Sequence, residues 1–316
     1  MDLFEEKRHL EPYMACDIFE LLVLSKEYEE MSRADMRDFL RDSGIEDSSL
    51  HRRAAGILGA GAVDEDAVNM LLDSYFDHLR CRARFMKGFY PLEVEGGVLR
   101  ALQNSPHAKP YQLFLHCSRL DTVPNKALSE EAAMAFEEVA SQVAAIKLGV
   151  EFRVHGLGTH KGASQYIFSN SKDKSLERLA RWFGERLDPE FFADAQGRAG
   201  DHGVDLVGKL RIDNLAYGCP AFLGQCAASS DEKYWKKKKY DADKVMEVIR
   251  FLCDPIRALF VPCFYRKSDG QWHNLTALSK AVLFDRLRLM AVSSPRFKFH
   301  HDALLLRLKD AFVSIQ

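Results

Sequence analysis

Apolar residues along the first ninety positions fall mostly at helical spacings. Between Asp17 and Leu40 they are Ile18, Leu21, Leu22, Met36, Phe39 and Leu40, and Asp42-Ser43-Gly44 supplies a stop. The pattern continues over 48–60 and 64–90, where Asp64-Glu65-Asp66 opens a helix carrying Val68, Leu71, Leu72, Tyr75, Phe76 and Leu79. A connection through Gly96-Gly97, Pro106 and Pro110 follows, and YQLFLHC (111–117) reads as a short strand. Ser129 is the predicted cap of a helix reaching Leu148, with Glu130 and Glu131 in its first turn. The glycine-bearing stretch 149–171 fits neither a dinucleotide fingerprint nor a phosphate-binding loop, so it reads as a linker or hairpin.

Beyond it the pattern changes. Leu176, Leu179, Ala180, Phe183 and Leu187 form one helical stripe. GVDLVGKLRID (203–213) and AFLGQCA (221–227) alternate as strands, a helix begins near 229–231 and continues through 244–252, and Arg257–Phe264 reads as a further strand. Segments 275–292 and 302–313 are helical by pattern. The prediction is an α/β (α+β) chain: a mostly helical N-terminal domain over 1–168, then a mixed sheet flanked by helices over 169–316 with a helical C-terminal extension. No 20–50-residue repeat occurs.

Composition narrows the function classes. In 316 residues, 44 Lys+Arg against 46 Asp+Glu give a formal charge of -2, so no global basic field announces a nucleic-acid partner. Residues 231–250 nevertheless hold seven Lys/Arg and five Asp/Glu, a local excess of +2 around Lys236–Lys239. Seven cysteines without a C-x-x-C pair predict reduced thiols, and the acidic N-terminus with its short apolar patch predicts a cytoplasmic protein with no membrane partner. The cations Arg80, Arg82, Arg84 and Lys87 read as a solvated helix end rather than a phosphate patch.

Candidate chemistry centres on Asp205, a carboxylate among Val204, Leu206 and Val207 that is costly to desolvate without compensation. By alternation it shares a strand face with Val207 and Lys209, and Gln225 shares one with Leu223 and Ala227. Antiparallel pairing of the two strands would bring Asp205 and Gln225 together. On its own, Asp205 is equally a salt-bridge partner in an interaction module, and Gln225 a satisfied buried amide.

A helix with Glu177, a strand with Asp205, a strand with Gln225, then a helix and another strand resemble the PD-(D/E)XK, restriction-endonuclease-like nucleases over about 172–265. Gly203-Val204-Asp205 followed by Gln225-Cys226-Ala227 is most similar to the Mrr-like branch, in which glutamine can replace the second acid. The resemblance implies a Mg2+-dependent endonuclease acting on DNA in preference to RNA, with Mn2+ a substitute metal, in a prokaryotic anti-phage defence or restriction system with a partner protein. It implies Asp205, Gln225 and Glu177 as metal ligands. The helical domain would then bind the partner or regulate cleavage.

The family's lysine stands two residues after the second acid, where this chain has Ala227. Lys238, three residues after Trp235, is the first replacement, Lys236 the second and Lys209 the third. Lys209, Lys237, Lys239 and His202 are the expected nucleic-acid contacts. The alternative is a catalytically inactive nucleic-acid-binding or scaffolding subunit that keeps the nuclease fold.

Overall fold

The computed structural model describes residues 11–43, 65–149, 151–154, 175–190, 204–210, 212, 218–238, 243–274, 276, 280–291 and 297–313. Helix α1 (Pro12–Leu24) starts on a proline, whose fixed φ suits a first turn, and buries every residue from Tyr13 to Val23. A short strand β1 (Glu30–Ser32) leads into α2 (Arg33–Asp42). Ser32 and Asp35 cap α2 reciprocally, the Asp35 carboxylate accepting from the Ser32 amide at 2.7 Å and the Ser32 hydroxyl from the Asp35 amide at 3.3 Å. Helix α3 (Glu65–Met86) follows, then the hairpin β2 (Leu92–Glu95) and β3 (Val98–Ala101), turned by Gly96 and Gly97 at φ of 58° and 77°.

Residues 111–117, expected to be a strand, instead belong to helix α4 (Ala108–Cys117). Tyr111 and Leu113 through Cys117 are buried, and a continuous apolar run of this kind cannot be assigned by periodicity. Helix α5 (Lys126–Leu148) is capped by Asn125, whose side chain accepts from the Leu128 amide, rather than by Ser129, and ends at left-handed Gly149. Then come β4 (Glu151–Val154), α6 (Ser175–Phe183), β5 (Arg186–Leu187), β6 (Leu206–Lys209), β7 (Ala221–Cys226), α7 (Glu232–Lys238), α8 (Asp243–Val248), β8 (Ile249–Arg250) and β9 (Ile256–Phe260). Where a helix was expected over 275–292, strand β10 (Val282–Phe284) precedes a short helix α9 (Arg286–Met290). Parallel pairing with β9 claims Val282, Leu283 and Phe284, so tertiary pairing overrides the local pattern. Helix α10 (Asp302–Val313) ends the described chain.

The fold is mixed α/β. A five-stranded sheet runs in the order β10-β9-β7-β6-β4, antiparallel among β4, β6 and β7 and parallel from β7 to β9 to β10. One face presents Leu206, Cys226 and Phe260 to a cluster built by α1, α3, α4, α5 and α10. The other presents Val207, Ala221 and Leu223 to Leu179, Ala180 and Phe183 of α6 and Val245 of α8. Strand β4 lies before residue 168 and pairs with β6, so sheet and core both run across the expected domain division. Among the described residues no helix is long and apolar enough to cross a membrane.

Polar groups sit at the centre of the larger cluster. Arg82, expected at a solvated helix end, is fully buried. It donates to Asp17 at 2.7 Å, to Glu20 at 2.5 Å and to the Tyr13 carbonyl at 2.7 Å. Arg286 forks onto Asp17 with bonds of 2.6 and 2.8 Å and donates to the Pro262 carbonyl at 2.6 Å. Tyr90 and Tyr111 hydroxyls donate to Glu20 at 2.5 and 2.7 Å, and Ser118 to Asp17 at 2.9 Å. Burial works against the charged Asp17 carboxylate, but Arg286 and Arg82 outweigh it and hold its pKa below the ordinary value. His78 takes the Arg82 Nε–H on Nδ1 at 3.2 Å and donates from Nε2 to the Arg266 carbonyl at 2.8 Å. Burial, then Arg82, push its pKa down to about 3, which keeps it neutral.

Removing one cation from this cluster strands a buried carboxylate. Arg286→Met should therefore lose roughly 3–5 kcal/mol in urea unfolding, whereas Arg307→Ala, which breaks a solvent-exposed pair with Glu131, should lose less than about 1 kcal/mol. Because the Asp17 pKa is lowered, its contribution is present above the unfolded value near ~3.9 and is lost as pH falls below it. Gly224→Ala should cost roughly 1–3 kcal/mol by the same assay, because the added Cβ would lie 2.9 Å from Leu206 Cβ and 3.0 Å from a Phe260 ring carbon.

Candidate functional site

The ladder Leu206↔Gly224 and Val207↔Leu223, extended by one step, sets Asp205 opposite Gln225. Asp205 precedes β6, and its backbone amide bonds the Gly224 carbonyl at 2.9 Å. Its carboxylate then takes a position a strand carbonyl would hold, with Oδ2 accepting from the Cys226 amide at 2.7 Å. The two side chains expected to meet are both buried, Asp205 at 5% and Gln225 at 2% exposure. Gln225 Nε2 has no hydrogen-bond partner among the described residues, an uncompensated amide end inside the protein.

Helix α7 brings the cation. Ser229 and Asp231 make the turn before it: the Ser229 hydroxyl accepts from the Asp231 amide at 3.0 Å, and the Asp231 carboxylate accepts from the Lys233 amide at 2.9 Å. Trp235 is fully buried, donates from its indole to the Ser229 carbonyl at 2.8 Å and packs edge-on to Tyr265 at 4.8 Å. With that wedge fixed, Lys238 one turn later lies over the strand ends. Its Nζ donates to Asp205 Oδ2 and to the Cys226 carbonyl, each at 3.1 Å.

Burial disfavours the Lys238 cation, but the Asp205 carboxylate outweighs burial and holds the pKa above that of a free lysine. Lys238 is thus a protonated donor at neutral pH, fitted to stabilise an anion rather than to accept a proton. Burial first, and then Asp205 and Glu137 of α5, push the Cys226 thiol up, so Cys226 is neutral and contributes through its backbone.

The other predicted residues are placed differently. Ala227, where the resemblance expects a lysine, is buried with Trp235, Tyr13 and Leu259, and its amide bonds the Phe260 carbonyl at 2.9 Å. A lysine here would compete with the Trp235 wedge that positions Lys238. Lys209 donates to the Trp182 carbonyl and lies 4.5 Å from the centre of the Trp182 ring. Four residues along β6, roughly 13 Å at the strand rise, separate it from Asp205, so it is not the site's cation. Glu177 is exposed in the first turn of α6. The side chains of Lys236 and Lys237, and all of His202 and Lys239, lie outside the described residues.

Sequence reading missed two features. The Cys226 backbone, which binds Asp205 through its amide and Lys238 through its carbonyl, leaves no side-chain signature. Tyr234, four residues before Lys238, is exposed with its ring centre 5.7 Å from Nζ, and an aromatic beside the buried Trp235 was the available signal.

Among the described residues no three His, Cys, Asp or Glu side chains converge as a metal-holding group. A cleft of about 420 Å3 lies elsewhere, lined in part by Tyr13, His78, Arg266 and His273. Its Arg266 is paired with Asp285 at 2.8 Å and its His78 is held neutral, whereas the buried amide left unsatisfied, that of Gln225, lies opposite Asp205. The chain matches no family model, no curated protein and no solved structure.

The raised pKa of Lys238 gives a signed prediction. Its ion pair stabilises the fold fully below the free-lysine value near ~10.4 and is lost as pH rises through the higher folded value. The stability difference between the native chain and Lys238→Met should be constant through neutrality and shrink above that pH. Asp205→Asn should lower the Lys238 pKa, measured by NMR titration of the lysine side chains, because burial then acts without its counter-charge.

Proposed function

We propose that this chain is a metal-dependent nuclease that hydrolyses phosphodiester bonds in DNA. The observation that carries the reading is the Lys238 ammonium, 3.1 Å from the Asp205 carboxylate, supplying from α7 the cation that Ala227 lacks. Hard oxygen donors are the right class for Mg2+ or Mn2+, and Mg2+ keeps several waters while using one or two carboxylates plus substrate phosphate. Asp205 fits as the carboxylate, and the unsatisfied Gln225 amide fits as the neighbouring oxygen donor once its O and N are exchanged. Glu177, exposed on α6, is the least supported member of the set.

When bound, the metal would polarise the phosphate and lower the pKa of an attacking water. Asp205 and Gln225 hold one side of the site in a buried, water-poor setting where charge interactions are strengthened. Lys238 stays protonated and donates to the oxygen on which negative charge builds. The sheet fixes the first two groups and the Trp235 wedge fixes the third, so little reorganisation accompanies the reaction. The nuclease resemblance further suggests a prokaryotic defence setting and a partner protein, with the helical half, packed on the sheet through one cluster, relaying partner binding.

A second reading is favoured by a specific observation. Ala227 at the usual lysine position, together with no converging group of three ligating side chains among the described residues, suits an inactive nucleic-acid-binding subunit. Plasmid and oligonucleotide cleavage by the pure protein in Mg2+ separates the two. Asp205→Ala should abolish cleavage, and Lys238→Met should lower kcat roughly 10²–10³-fold, as for loss of one transition-state donor. Tight DNA binding with no cleavage under any metal would favour the inactive subunit.

A further inference from the structure

Tyr234 is a large aromatic ring left in solvent beside the site. Among the described residues, Phe85 at 38% and Tyr234 at 42% are the exposed aromatic rings. Phe85 is accounted for by local packing: the Arg84 guanidinium lies 4.7 Å from its ring centre, and the Gly270 backbone approaches it so closely that a Cβ there would fall 2.4 Å from the ring. Tyr234 is set differently. Its neighbour Trp235 takes the buried position on α7, which turns Tyr234 outward, and its ring lies 5.7 Å from Lys238 Nζ. The same ammonium is 3.1 Å from Asp205. An exposed π-face, a cation and a buried carboxylate are therefore consecutive along one short path.

On the nuclease reading above, we propose that Tyr234 is a stacking platform for an unpaired base, and that the site takes a DNA strand whose bases are free rather than an intact duplex. The argument is one of geometry and access. Stacked bases repeat about every 3.4 Å along a strand, so a ring 5.7 Å from the ammonium is within two base steps of a phosphate held there. Bases inside a duplex have both faces covered by their neighbours, and only an unpaired or frayed nucleotide offers a face to the tyrosine. Stacking is also indifferent to sequence, because every base has a π-face. It gives affinity to a chain whose formal charge of -2 provides no general attraction for nucleic acid. The Tyr234 ring also faces the Lys238 charge, so a cation–π contact orients platform and cation together.

The test compares the full-length protein with Tyr234→Ala and Tyr234→Phe, using a fluorescently labelled 12-nucleotide single-stranded DNA and a blunt duplex of the same sequence. Anisotropy is read in EDTA and cleavage in Mg2+. Tyr234→Ala should weaken single-strand binding roughly 5- to 150-fold, the loss of one base–aromatic stack, and leave duplex binding unchanged. Tyr234→Phe should bind as the native chain does, because the ring suffices. Equal losses on strand and duplex would overturn the proposal, since Tyr234 would then act only by positioning Lys238. No loss on either would overturn it as well, while Asp205-dependent cleavage in the same samples would leave the nuclease reading standing. A native protein that neither binds nor cleaves either DNA would overturn both.

Discussion

The fold depends on a neutral cluster of two carboxylates and two arginines sealed inside the helical layer. Asp17 and Glu20 sit one turn apart on α1, and Arg82 and Arg286 reach them from α3 and α9. Burying four charges is costly unless each is paired and hydrogen-bonded; the fork of Arg286 with the Ser118 hydroxyl meets that condition at Asp17, while at Glu20 burial outweighs Arg82, Arg286 and the Tyr90 hydroxyl and raises the carboxyl pKa. The geometry admits few alternatives. It fixes the C-terminal segment against the N-terminal helix, and hence the place of β10 beside β9.

That fixation extends to the site through packing. Arg286 donates to the Pro262 carbonyl and its amide bonds the Cys263 carbonyl, which ties the segment after β9 to the cluster. Cys263, Tyr265, Trp235 and Ala227 belong to one apolar group with Tyr13 of α1. Trp235 therefore stands on a base set by the ion cluster, and Lys238 stands on Trp235. A small residue at 227 and a lysine at 238 belong to one arrangement, because Ala227 is buried in the same apolar group as the Trp235 indole.

The convergence of strand, amide and lysine at the candidate site was partly legible without coordinates. Asp205 and Gln225 follow from strand alternation, and Lys238 from its one-turn spacing beyond Trp235. Lys209 shows the limit of that reasoning: alternation puts it on the same face as Asp205, but it is held by Trp182 of α6. In the fold, the stripe Leu176, Leu179, Ala180 and Phe183 identified a helix, because one apolar face must meet a core, but its last member, Leu187, lies in β5, where pairing with β8 claims it. The run Tyr111–Cys117 did not, because a segment buried all round carries no period.

The sequence by itself determined where apolar faces lie, which strands alternate and which acid would be expensive to bury. Those properties are local and are set by side-chain type and spacing. Tertiary structure alone decided that Arg82 and Arg286 are interior, although Arg82 reads as part of a solvated helix end and Arg286 lies in a segment read only as helical. An arginine is hidden or solvated according to whether carboxylates far along the chain converge on it, and Asp17 is 269 residues from Arg286. The same holds at the site. Lys238 becomes the partner of Asp205 across 33 residues because β7, the Ser229 turn and the Trp235 wedge aim it there; the one-turn spacing picks out the lysine, and only the tertiary structure sets the atoms it meets.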